Sequence, residues 1–126
     1  HAWVSTTESW IGDSSKRVDF VIDIGGEAVG SAAFINVDQH RAQVSYWLAE
    51  QYWGRGITTE AVKKLVAFGF DEMKLVRIFA YVYHHNAPSM RVLEKAGFVC
   101  EGVHRKEWLK DGQFYDSHYY AIVRDE

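Results

Sequence analysis

The chain reads as a mixed α/β domain of the α+β type, built on one twisted sheet. Three observations predict this. Two β-rich runs meet at Gly25–Gly26, an apolar stripe of helical period follows the third β-rich run, and a second, capped helix sits between further β-rich segments.

The elements follow in order. STTESWIGD, residues 5–13, carries a Ser/Thr cap signal before Glu8 and Trp10–Ile11, and reads as a helix stub or the tail of a longer helix. VDFVIDI and EAVGSAAFINV flank the Gly25–Gly26 pair, a hairpin signal because both central positions of a tight hairpin turn favour positive φ. Asp38, Gln39 and His40 form a polar turn into QVSYWLA, so the first half is an antiparallel meander. Val62, Leu65, Val66, Gly69, Phe70 and Met73 then fall on one helical stripe, with Lys63, Lys64 and Asp71 off it; a helix is predicted from Thr58 to Met73. Gly69 on that stripe predicts close packing against the sheet. LVRIFAYVY is a strand of the sheet interior, since both alternating sets are largely apolar. In HHNAPSMRVLEKAGF, Asn86 is the N-cap, Pro88 sits in the first turn and Gly97 is the left-handed stop. FVCEGV is another strand. EWLKDGQFYDSHYYAIV closes as a hairpin on Asp111–Gly112. The order is (helix)–β–β–β–α–β–α–β–β, one domain over residues 1–126.

Composition narrows the function. A chain of 126 residues with net charge −3 and 48% hydrophobic residues suits one compact domain with one core. No apolar run approaches the roughly 18 residues of a membrane span, and the N-terminus lacks a leader pattern, so a cytoplasmic location is expected. The single cysteine, Cys100, excludes an internal disulfide framework and a CxxC metal pattern. The charge is mixed with no basic block, which argues against nucleic acid as a partner.

QYWGRGITTEAV, residues 51–62, invites three readings. Gly54 and Gly56 alone make a tight strand-to-helix turn. A P-loop would need GxxxxGK[ST], and no Lys follows Gly56 in place; a dinucleotide fingerprint fails at Thr59 and in a meander context. The third reading is a diphosphate cradle of another kind. The free N–H groups and positive dipole end of the following helix face the loop, Arg55 adds a cation, and the glycines let an anion approach the main chain. No paired acidic metal ligands lie nearby, so no metal is expected.

The series SYWLA, QYWGRG, TTEAVKKLVAFGF, a strand and NAPSMRVLEKAGF resembles the GNAT family of N-acetyltransferases, most closely the branch that acetylates ribosomal-protein N-termini. Gln51, Gly54 and Gly56 carry it, with Asn86, Ser89, Val92–Leu93–Glu94–Lys95 and Gly97–Phe98; Glu101–Gly102 and Asp111–Gly112 add to it. It covers residues 18–123. The family begins with a further strand and one or two helices that form part of the acceptor wall. Only residues 1–17 precede the meander here, so a shortened N-terminal part is expected, with STTESWI as the end of the second helix.

The resemblance implies acetyl-CoA as donor, without a metal, and direct attack by a primary amine. The acceptor it implies is a protein or peptide N-terminal amine. A polyamine, amino sugar or antibiotic is the alternative acceptor, and a non-catalytic acyl-CoA-binding module is the alternative of another class. A monomer or homodimer is expected. The amides of Trp53, Gly54, Arg55 and Gly56, with the helix start at Ile57–Thr58, hold the diphosphate. Trp47, Leu48 and Ala49 align the pantetheine, and the Leu48 N–H is the oxyanion donor. Many members carry Tyr where this chain has Leu93; the terminal-amine branch has Ser at the place of Ser89, which serves the leaving sulfur. Asn86 contacts the CoA arm as well as capping. For the base, the branch has a Glu where spacing from Ser89 puts Trp108; Glu107 is one residue away, on the other face of a regular strand. Glu50 is a second candidate. Both Glu107 and Glu50 also read as solvated charges, and an α-amine with a pKa near ~8 needs little base. His84–His85 make a poor metal pair, Cys100 reads as a buried small side chain, and Tyr119–Tyr120 split between core and surface.

Overall fold

The computed structural model describes residues 3–9 and 17–124, the former by backbone only. Its strands are β1 (Trp3–Ser9), β2 (Arg17–Ile24), β3 (Glu27–Ile35), β4 (Arg41–Leu48), β5 (Arg77–Tyr83), β6 (Val99–Lys110) and β7 (Gln113–Val123). Helix α1 (Ile57–Asp71) joins β4 to β5, and α2 (Ala87–Lys95) joins β5 to β6. The strands form a 7-stranded sheet in the order β1-β2-β3-β4-β5-β7-β6. The sequence order predicted is present, with one correction. Residues 5–9, expected to be helical, belong to β1 and pair antiparallel with β2. The run WVSTTES is rich in β-branched residues, and a sheet edge to pair with outweighs a cap signal. The remainder of the expected helix stub lies outside the described residues.

Both predicted tight turns form through positive φ. Gly25 and Gly26 have φ of 61° and 88°, and Asp111 and Gly112 have 53° and 76°. Helix α1 buries Ala61, Val62, Leu65, Val66 and Gly69. A Cβ on Gly69 would stand 2.7 Å from Phe34 Cζ and 3.1 Å from Ile78 Cδ1. The glycine thus seats α1 directly on β3 and β5. In α2 the Asn86 side chain accepts from the Ser89 N–H. The helix closes with Gly97 N–H to Glu94 O and Phe98 N–H to Leu93 O, with Leu93 and Phe98 both buried. This pairing of bonds satisfies the last carbonyls and anchors the exit.

Every neighbouring strand pair is antiparallel except β4–β5, which is parallel and ends early. Its pairing covers only Arg41–Gln43 against Arg77–Phe79. Beyond that, β4 stays bonded to β3 as far as Leu48, and β5 to β7 as far as Tyr83. Held by their outer neighbours, the two strands diverge as the sheet twists. Both helices cover one face of the sheet; Tyr81, Tyr83, Tyr119 and Trp47 point from the other. Cys100, expected to be buried, is exposed, because β6 is an edge strand. Among the described residues no helix is long and apolar enough to cross a membrane.

Candidate active site

A cleft of about 700 Å³ opens where β4 and β5 part, bounded by α1 and α2. Its floor is the end of β4. The Ala49 N–H bonds to Val29 O at 2.8 Å, which directs it to β3. Successive strand amides point opposite ways, so the Leu48 N–H and C=O face the gap. The Trp53 indole N–H donates to that carbonyl at 2.7 Å, and the Leu48 N–H is left to the cleft. Of Trp47, Leu48 and Ala49, only Leu48 presents its main chain there. Trp47 lines the cleft otherwise and Ala49 does not line it.

The loop forms one wall. Gly54 and Gly56 have φ of 78° and 76°, and a Cβ on either would meet open space. Gly56 is the N-cap of α1 and has no side chain to bond the first-turn amides; the first internal bond is Glu60 N–H to Gly56 O. The N–H groups of Ile57, Thr58 and Thr59 therefore have no helical acceptor and stand at the positive dipole end, an anion site of main-chain amides. Trp53, Gly54, Gly56, Ile57 and Thr58 line the cleft. Arg55 does not; its guanidinium lies 5.5 Å over the Tyr52 ring.

Helix α2 forms the facing wall with Asn86 and Ser89. Arg91 and Lys95, one turn apart, add two cations to the same cleft. Sequence reasoning missed both, although their i, i+4 spacing was there to read. It also missed Tyr46, whose hydroxyl reaches Ser89 Oγ at 2.5 Å and Ser89 O at 3.4 Å. Burial pushes the Tyr46 hydroxyl above its ordinary pKa.

Glu107 is not among the residues lining the cleft. Its carboxylate lies 2.8 Å from His104 Nδ1. The expectation of a regular strand fails because β6 bulges. Between the pairs His104–Ser117 and Trp108–Tyr115, the three residues Arg105, Lys106 and Glu107 stand against Asp116 alone, with Lys106 at φ 54°. Trp108 returns to the sheet beside Tyr83, which also packs on His85 and Tyr115. This aromatic shelf lies at the end of β5, on the face away from the helices. His84 turns the other way and bonds His118 at 3.0 Å. Tyr120 is buried and Tyr119 half-buried on the opposite face, the split expected.

The model of the acetyltransferase (GNAT) domain matches residues 1–99. Among curated proteins, an uncharacterized N-acetyltransferase, p20, of Bacillus licheniformis is 32% identical over 89% of this chain and 64% of its own length. A putative ribosomal N-acetyltransferase, YdaF, of Bacillus subtilis is 33% identical over 80% and 56%. Spermidine N(1)-acetyltransferase of Escherichia coli is 28% identical over 82% and 56%. The chain thus spans less than two thirds of the length of these relatives. Among solved structures, Mycobacterium smegmatis RimJ in complex with CoA-disulfide superposes with a TM-score of 0.79 at 34% identity, over 85% of this chain and 53% of that one. Ribosomal-protein-S5-alanine acetyltransferase of Vibrio fischeri gives 0.81 at 28%, over 87% and 63%. The match of the family model over most of the chain, with a relative 32% identical over 89% of it, makes this chain a member of the GNAT acetyltransferase family.

Proposed function

We propose that this protein transfers an acetyl group from acetyl-CoA directly to a primary amine, and that the acceptor is the N-terminal amine of a protein or peptide. The observation that carries the transfer is the convergence on one cleft of three groups. These are the uncapped amides of α1, the inward Leu48 N–H and the Ser89 hydroxyl. In this reading the amides from Gly54 to Thr58, with Arg91 and Lys95, hold the diphosphate of the donor. The pantetheine runs along the gap beside Leu48 and Asn86. The amine attacks the thioester carbon, the Leu48 N–H takes the oxyanion, and the sulfur departs beside Ser89.

The shelf of Tyr83, His85, Trp108 and Tyr115 supports a peptide acceptor, because an extended chain can lie on an open aromatic surface. A polycation would call for converging free carboxylates. On this face Glu101 is bonded to Arg77 and Glu107 to His104. The spermidine acetyltransferase relative favours a polyamine as the second reading. Thiol release from acetyl-CoA tests both, with a peptide bearing a free N-terminus, the same peptide N-terminally blocked, and spermidine. Turnover only with the free peptide is expected. Turnover only with spermidine overturns the acceptor, and tight CoA binding with no turnover on any amine makes this a binding module.

A further inference from the structure

Ser89 is held from two elements at once. Its backbone N–H is fixed by Asn86 Oδ1 at 3.3 Å, and its side chain meets the Tyr46 hydroxyl at 2.5 Å. Tyr46 lies on β4, two residues before Leu48 and on the same face, half-buried against the core. We propose that Tyr46 is a positioning residue that fixes the Ser89 hydroxyl as a hydrogen-bond donor aimed at the leaving sulfur.

The chemistry follows from proton count. Each hydroxyl carries one proton. The one phenol proton has two acceptors in reach, Ser89 Oγ at 2.5 Å and Ser89 O at 3.4 Å; the shorter contact, and the greater acidity of a phenol than of an aliphatic alcohol, assign it to Ser89 Oγ. The Ser89 proton is then free to point into the cleft, which Ser89 lines together with Leu48. A donor that itself accepts a bond is strengthened by polarisation. In the step, the amine N–C bond forms and the C–S bond breaks with its electron pair on sulfur. The sulfur accepts a hydrogen bond from Ser89, and the proton lost by the attacking amine passes to water. The phenol stays neutral throughout, consistent with a burial that resists its ionisation.

This rests on the acetyl-transfer reading above, and the test separates the two. Tyr46→Phe keeps the ring and deletes the hydroxyl. It is expected to lower kcat about tenfold or more, the scale of a charge-stabilising hydrogen bond, with KM for acetyl-CoA within about twofold. The loss should shrink when acetyl is offered on a more acidic thiol, whose departing sulfur needs no donor. In a Ser89→Ala background, Tyr46→Phe should cost nothing more. A full-rate Tyr46→Phe, an undiminished loss with the acidic thiol, or additive losses in the double variant overturns the inference while the acetyl-transfer reading stands. No turnover by the unaltered chain overturns both.

Discussion

On the helix side of the gap between β4 and β5, the polar groups left without a partner in the cleft are largely main-chain amides. They include the Leu48 N–H and the first turn of α1 behind Gly56. On the opposite side stand side chains drawn from β5, the turn after it, a bulged β6 and β7: Tyr83, His85, Trp108 and Tyr115. The amide wall depends on backbone conformation and is indifferent to most side chains. The aromatic shelf depends on which residues a bulge brings together. Under the proposed function, the donor lies against the first kind of wall and the acceptor against the second.

The largest expected effect breaks the amide wall. Gly56 sits at φ 76°, where a β-branched residue is strained and its side chain fills the space an anion would enter. Gly56→Val should weaken CoA binding roughly a hundredfold, about 2.7 kcal/mol, read by calorimetry. The fold should survive a local cost of about 1–2 kcal/mol. Unchanged affinity would remove the loop from the donor site. A smaller effect probes the other side. Trp108→Ala should raise KM for a peptide acceptor by a few-fold, since an aromatic contact contributes about 0.5–1.5 kcal/mol, and leave KM for acetyl-CoA alone. A rise in both would show that the two walls are not independent.

The smallest effect concerns how α2, which carries Ser89, is tied to the sheet. The Tyr120 hydroxyl donates to Glu94 at 3.0 Å. Burial first, and Glu94 second, push its pKa up to about 12. The unfolded chain gives up that proton near ~10, so the contribution of neutral Tyr120 is intact below about pH 10. It is lost as pH rises from there toward 12. Thermal melts at increasing alkaline pH should show a steeper loss for the unaltered chain than for Tyr120→Phe; parallel curves would contradict the assignment.

Much of this was legible locally. Asn86, Pro88 and Gly97 delimit α2, and Gly25–Gly26 and Asp111–Gly112 make their hairpins, because caps and turns are decided within a few residues. Gly54 and Gly56 mark the turn into α1 for the same reason. The helix expected at residues 5–9 failed because an available sheet edge decided it. Cys100 is exposed because β6 turned out to be the outer strand. Glu107 was misplaced because the bulge between His104 and Trp108 has no turn signal of its own.

The sequence by itself determined the element order from β2 onward, the caps and hairpin turns, and the glycine loop at the start of α1, since each depends on local φ, ψ and periodicity. Only the tertiary structure decided that Leu48 turns its N–H to the gap, that Tyr46 meets Ser89 across a separation of 43 residues, and that Trp108 stands beside Tyr83. Those facts depend on register, strand divergence and packing between distant segments, and such long-range relations leave no mark on the spacing of neighbours along the chain.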